Sequence, residues 1–179
     1  MTDNIQKQYN TIVDFASGKN IPDIGAEANR QEFERFLVDQ KGYEKEDIKV
    51  DVPVQMDING EIYESRIDLV LIVENTKFAV IKCAAGSLGS REREILAAAR
   101  LLDSVQIPFC AVTDGKTALL RDTVSGKKIG EGLDAFFSKD EAIKRLKEIS
   151  SLQPLPEGRV LRERLIFRTY DSMNVNRLL

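Results

Sequence analysis

Apolar residues occupy every second position from Ile48 through Val50, Val52, Val54 and Met56 to Ile58, with polar residues between most of them. That period of two predicts a strand with one buried face. Asn59-Gly60 follows at once, a dipeptide that favours a two-residue hairpin because both positions tolerate positive φ. The chain should therefore return as a second strand over about residues 63–73. Glu74-Asn75-Thr76-Lys77 predicts another turn and residues 78–83 a third strand, completing an antiparallel meander. The period then becomes helical: after Gly86-Ser87-Leu88-Gly89-Ser90, the residues Ile95, Leu96, Ala99 and Leu102 recur on one helix face. Residues 107–113 form a compact apolar strand, Asp114-Gly115 turns it into residues 117–121, and a short strand surrounds Ile129. The intervening helix makes the third strand and the 107–113 strand a crossover pair, which should be parallel.

The flanks read as helices. Ile5, Tyr9, Ile12, Val13 and Phe15 give residues 3–17 an amphipathic pattern, with Gly18 as its stop. Asp23 reads as the N-cap of a second helix running to about Gln40, with Phe33, Phe36 and Leu37 inward and Lys41-Gly42 closing it. Residues 133–137 and 140–149 predict two further helices. Leu152-Gln153-Pro154-Leu155-Pro156 is a stiff connector to a last amphipathic helix over residues 157–170. The order of helices, meander, crossover helix, strand and hairpin places one domain over residues 1–150, with its core at about 23–130. Residues 151–179 then supply the connector and a C-terminal helix.

Composition narrows the chemistry. A chain of 179 residues with 42% hydrophobic content can bury an ordinary single core. Its formal net charge of −3 excludes a strongly basic nucleic-acid binder, so any DNA contact needs a local patch. With no histidine, Ser-His-Asp, Cys-His and His-ligated zinc chemistry are all absent. Cys83 and Cys110 sit in apolar strand runs and lack metal or redox spacing. With no membrane-length apolar run and no signal-peptide pattern, the expectation is a cytoplasmic protein without a membrane partner.

Against this background two charges stand out. Asp68 lies between Ile67 and Leu69, and Lys82 between Ile81 and Cys83, each inside an apolar strand. An unpaired ion there is expensive, so each asks for the other. A structural Asp68–Lys82 pair is one reading. The other begins from a resemblance carried by residues 27–38, Lys41-Gly42-Tyr43, Arg66-Ile67-Asp68-Leu69-Val70 and the block from Phe78 to Thr113. In order and spacing these resemble the PD-(D/E)XK nucleases, and most closely the N-terminal nuclease domain of type I restriction enzyme R subunits and their small stand-alone relatives. The resemblance implies an α/β, restriction-endonuclease-like fold: a central mixed β-sheet flanked by helices, here with a C-terminal helical extension. It also implies descent from a Mg²⁺-dependent DNA endonuclease.

The chain departs from that pattern at its centre. The resemblance puts Lys82 where the family carries its catalytic Glu and Ala84 where it carries its catalytic Lys. Positions two apart on a strand share a face, so a metal-holding carboxylate has become an ammonium beside Asp68. Glu27 is the carboxylate the resemblance nominates to complete the site. Asp68, Glu27 and the Cys83 backbone carbonyl would hold any metal, with Lys82 in place of the lost lysine. Glu27, Arg30, Gln31 and Glu34 also share one helix face, where a plain Glu27–Arg30 pair is the structural alternative. In some relatives the missing carboxylate moves to the following helix, which nominates Glu94 or Glu92, although acidic residues at a helix start also serve the helix dipole. Gly86-x-x-Gly89-Ser90 lacks the P-loop Lys-Ser/Thr and reads as a capped turn rather than a phosphate cradle. The expectation is a nuclease-like domain with catalysis lost or strongly weakened and Mg²⁺ binding weak or absent. The alternatives are a non-catalytic interaction or oligomerisation module on the same fold, and an active nuclease with migrated residues. DNA is one candidate partner. A restriction-system protein or a second copy, met through the C-terminal helix with Arg159, Arg162, Arg164 and Arg168, is the other.

Overall fold

The computed structural model describes residues 10–173. The alternating segment forms β3 (Ile48–Ile58), which pairs antiparallel with β4 (Glu61–Val73). Asn59 and Gly60 turn the chain between them with φ of 56° and 87°, the doubly left-handed pair that a two-residue hairpin needs. Glu74 and Asn75 repeat the device at 48° and 60°, leading into β5 (Thr76–Cys83), antiparallel to β4. A crossover through helix α2 (Glu92–Leu101) then places β6 (Phe109–Thr113) parallel to β5, as the connection requires. Strands β7 (Ala118–Asp122) and β8 (Lys128–Glu131) finish the sheet as an antiparallel hairpin pair. The sheet has six strands in the order β3-β4-β5-β6-β7-β8 and is mixed, which matches the expected fold class.

Each sheet face carries its own core. On one side α1 (Glu27–Lys41) and α3 (Lys139–Glu148) cover Leu69, Leu71, Ile81 and Ala111, with Phe33 and Leu37 fully buried. On the other, α2 and α4 (Glu157–Asp171) cover Val70, Val80, Cys110 and Val112, with Ile95 and Phe167 inward. Alternating strand residues feed the two cores, because successive side chains leave a strand on opposite faces. Helix α4 is fastened to the domain. The buried Arg100 Nη1 pairs with Glu163 at 2.9 Å. Tyr63 donates its hydroxyl to Asp171 at 2.7 Å, and Arg168 pairs with Glu61 at 2.8 Å.

Three expected elements differ. The helix over residues 3–17 lies partly outside the described residues, and its remainder is not helical. Instead β1 (Thr11–Val13) and β2 (Asn20–Pro22) pair as a small antiparallel hairpin. The turn is held by Asp14, whose Oδ1 accepts the Ser17 N–H at 2.6 Å and whose carbonyl accepts the Gly18 N–H at 2.9 Å. Asp23 does not cap α1: its N–H donates to the Asn10 carbonyl at 2.7 Å, Gly25 turns left-handed at φ 62°, and the helix begins at Glu27. Residues 133–137 make a single turn rather than a helix. Ser138 sits extended as the N-cap of α3, in a reciprocal capping box with Glu141, and so interrupts any continuous helical path.

Candidate functional site

Asp68 and Lys82 lie opposite one another on β4 and β5, one step beyond the Leu69–Ile81 pair that ends the backbone ladder between those strands. Where the ladder stops, the Asp68 side chain takes over: its Oδ2 accepts the Cys83 backbone N–H at 2.8 Å. Strand β5 meanwhile stays paired with β6 as far as Cys83 and Thr113. The aspartate thus closes the fork between β4 and β5. Its Oδ1 lies 3.4 Å from the Lys82 ammonium. Just ahead of it on the other edge, the β3–β4 register pairs Val50 with Leu69 and Val52 with Ile67. Between them Asp51 stands at φ 51°.

The ammonium has a second carboxylate. Glu94, in the first turn of α2, brings Oε1 to 3.2 Å from Lys82 Nζ. Its other oxygen lies 3.4 Å from Arg91 Nη1, which also donates to the Tyr170 carbonyl of α4 at 3.2 Å. The Glu94 side chain is 2% exposed and that of Lys82 8%, against 19% for Asp68. Two carboxylates and two cations therefore alternate along a chain from β4 to β5, α2 and the end of α4. Ala84, buried at 5% exposure, packs in the α2-side core.

Glu27 takes part in a different cluster. Its Oε1 lies 2.5 Å from Arg30 Nη2 and accepts from Gln31 Nε2 at 3.3 Å. Arg30 reaches Asp14 Oδ2 at 2.9 Å and Glu34 Oε1 at 3.0 Å. Gln31 accepts the Phe15 N–H and Glu34 the Ala16 N–H, at 2.8 and 3.1 Å, so the cluster clamps the β1–β2 turn onto α1. Burial, reinforced by the Asp14 carboxylate and opposed by Arg30, pushes the Glu34 carboxyl up to about 7. Burial also raises Glu27, against the pull of Arg30 and Gln31. Cys83 lies between the two clusters. Burial raises its thiol, and the charges of Asp68, Lys82, Arg30 and Glu34 all reach it. Helix α1 is tied to this end of β5 by Asn29, whose amide donates to the Ala84 carbonyl at 2.7 Å.

Of the expected site residues, the structure joins Asp68 to Lys82, and to Glu94 through the shared ammonium. Glu27 is engaged with Arg30, the structural alternative at that position. Glu92 is drawn elsewhere, pairing with Arg121 of β7. Cys83 meets Asp68 through its N–H. Among the described residues no three carboxylate or thiol side chains gather as a metal site. Asp68 meets the Lys82 ammonium and the Cys83 N–H, and Glu94 meets Lys82 and the Arg91 guanidinium. Asp14 is the cluster member that sequence reasoning missed. Its signal lay in Asp14-Phe15-Ala16-Ser17-Gly18, a side-chain-stabilised turn. The Gly86–Ser90 segment leads into a single 3₁₀ turn over Gly89–Arg91 with no side-chain cap, and the Ser90 hydroxyl donates to the Ser87 carbonyl at 2.7 Å.

Comparison with known proteins adds one finding. The family model of the type I restriction enzyme R protein N terminus matches residues 25–136, more than half of the chain. No curated protein and no solved structure matches. No helix among the described residues is long and apolar enough to cross a membrane.

Proposed function

We propose a function from one premise: the chain belongs to the family of the type I restriction enzyme R protein N terminus. On that premise it is a restriction-system domain on a nuclease-like scaffold, derived from a PD-(D/E)XK endonuclease and no longer able to hold its metal. The observation that carries this reading is the Lys82 ammonium, buried 3.4 Å from Asp68 and 3.2 Å from Glu94. With the Arg91 guanidinium beside it, the Lys82 ammonium offsets both the Asp68 and the Glu94 charge, and an incoming divalent ion would meet repulsion from Lys82 and Arg91. The domain then works by contact with a restriction-system partner or with DNA, rather than by hydrolysis.

Calorimetric titration with Mn²⁺ tests the reading. The expected result is no binding below millimolar concentration. Micromolar binding that disappears in Asp68→Asn would overturn it.

The contrary reading has one observation in its favour: Glu94 reaches the same ammonium from the following helix. It would make Asp68 and Glu94 the metal-holding carboxylates of an active nuclease and Lys82 its lysine. Mg²⁺-dependent nicking of supercoiled plasmid, lost in both Asp68→Asn and Glu94→Gln, would establish it in place of the first.

A further inference from the structure

Helix α4 carries apolar residues on two faces, and its partners within the domain account for one. Phe167 is fully buried against the sheet and α2. Leu161 and Leu165, one turn apart on another side, are 42% and 44% exposed. They line a groove of about 640 Å³ beside Arg93, Arg162 and Ile166, and a second hollow of about 290 Å³ continues it toward Arg159. The charge of this surface is one-sided. Arg93, Arg100, Arg159 and Arg162 line the second hollow with one carboxylate, Glu163, which pairs with both Arg100 and Arg159. Arg93 donates to the neutral Tyr170 hydroxyl at 3.1 Å. On a chain whose formal net charge is −3, four arginines facing one glutamate form a local reversal of sign.

We infer that this groove docks an acidic amphipathic helix of a partner protein. The apolar ridge of Leu161 and Leu165 supplies anchor contacts at helical spacing, and the arginine rim selects carboxylates flanking those anchors. The incoming backbone would lie between helices, with no sheet edge to pair with. It must satisfy its own hydrogen bonds, which favours a helix over an extended strand. A DNA backbone would match the arginines and leave the leucines without contact. A second copy would bring arginines against arginines. The inference deepens the non-catalytic reading and rests on it for the need of a partner, whereas its test involves neither metal nor the Asp68–Lys82 pair.

Fluorescence anisotropy of the full chain with a labelled 18-residue helical peptide is the measurement, the peptide bearing a leucine stripe flanked by glutamates. Binding is expected with Kd below about 100 μM, weakened at least tenfold by Leu165→Ser and by Arg162→Glu. A peptide with lysines for glutamates should not bind. Circular dichroism of the variants checks that these exposed substitutions leave the fold intact. Four results would each overturn the inference: no binding of the acidic peptide at 1 mM, equal binding of both peptides, tighter binding of a 20-base-pair duplex or of anionic vesicles lost in the same variants, and sedimentation showing a dimer that Leu165→Ser dissolves. Because Mn²⁺ titration is read separately, failure here would leave the disarmed-site reading standing, and failure there would leave the groove.

Discussion

Replacing Lys82 with Met removes the positive charge and keeps much of the apolar stem. Asp68 and Glu94, which now meet the ammonium at 3.4 and 3.2 Å, are left facing each other across a largely buried space. At an effective dielectric of about 20, each pair is worth roughly 5 kcal/mol of attraction, and most of that is offset by desolvation. Breaking such a pair costs about 3–5 kcal/mol in deep sites because a charge is stranded. Asp68 keeps the Cys83 N–H and Glu94 keeps Arg91, so the lower end, about 3 kcal/mol, is expected. In a chain of this size that lowers the melting temperature by roughly 6–12 °C. Asp68→Asn retains an acceptor for the Cys83 N–H and leaves Glu94 on Lys82, so it should cost only about 1–2 kcal/mol. The double variant should cost less than the sum by at least about 1 kcal/mol, the signature of direct coupling. Urea denaturation of the four proteins gives these values. Repeating the melts in millimolar MnCl₂ adds a second readout: Lys82→Met, which takes one positive charge from beside Asp68 and Glu94, should be stabilised by the metal, and the parent should not. A stabilising Asp68→Asn, or additive single effects, would refute the ion-bridge account.

Three further outcomes follow from the same physics. Glu34, with its carboxyl near 7 in the fold against an ordinary 4.5, holds a proton that the unfolded chain releases; stability should therefore fall as pH rises from about 4.5 through 7. Glu34→Gln should match the parent near pH 5 and exceed it by up to about 3 kcal/mol near pH 8, and parallel denaturation midpoints across that range would contradict the assignment. Lys82→Glu with Ala84→Lys should create metal binding beside Asp68 and Glu94, seen by calorimetry; a folded double variant that binds no Mn²⁺ would mean these strands do not frame a metal site even with the charges restored. Phe167→Ala, which empties a fully buried position under α4, should cost about 3–5 kcal/mol, and a loss below about 1 kcal/mol would show that α4 detaches readily.

The sheet was legible because its signals are local. The alternation over residues 48–58 and the positive-φ turn at Asn59-Gly60 each act within a few residues, and the parallel β5–β6 pair follows from a crossover rule. The N-terminal hairpin was not. Ile12, Val13 and Phe15 fit a helix face, and a three-residue strand is too short to display its own period. What holds Asp14 is Arg30 at 2.9 Å, a tertiary contact that no window of sequence contains. The site was legible in part for the same reason. A charge inside each of two adjacent strands demanded pairing, so Asp68 and Lys82 could be matched from burial cost alone. Whether Glu27 or Glu94 joined them depended on tertiary packing, since each has an arginine three residues away. Arg30, three residues along the same helix, takes Glu27, whereas Glu94 reaches Lys82 only because α2 packs back over β5.

On the proposed reading, the electrostatics of the network give a route by which a metal site is lost without loss of the fold. A divalent ion between carboxylates on a strand and a helix neutralises their charge and ties the two elements together. Lys82 performs both tasks from within the chain, joining β4 and β5 to α2, and Arg91 extends the tie to α4 through the Tyr170 carbonyl. Asp68 and Glu94 are then matched by Lys82 and Arg91, charge for charge, with the cations covalently fixed and unable to dissociate. On the proposed reading, a lysine standing where a metal would be also lets the two carboxylates stay buried without one. Asp68 closes the β4–β5 fork and partners Lys82, so on the proposed reading it has a structural task that does not depend on catalysis.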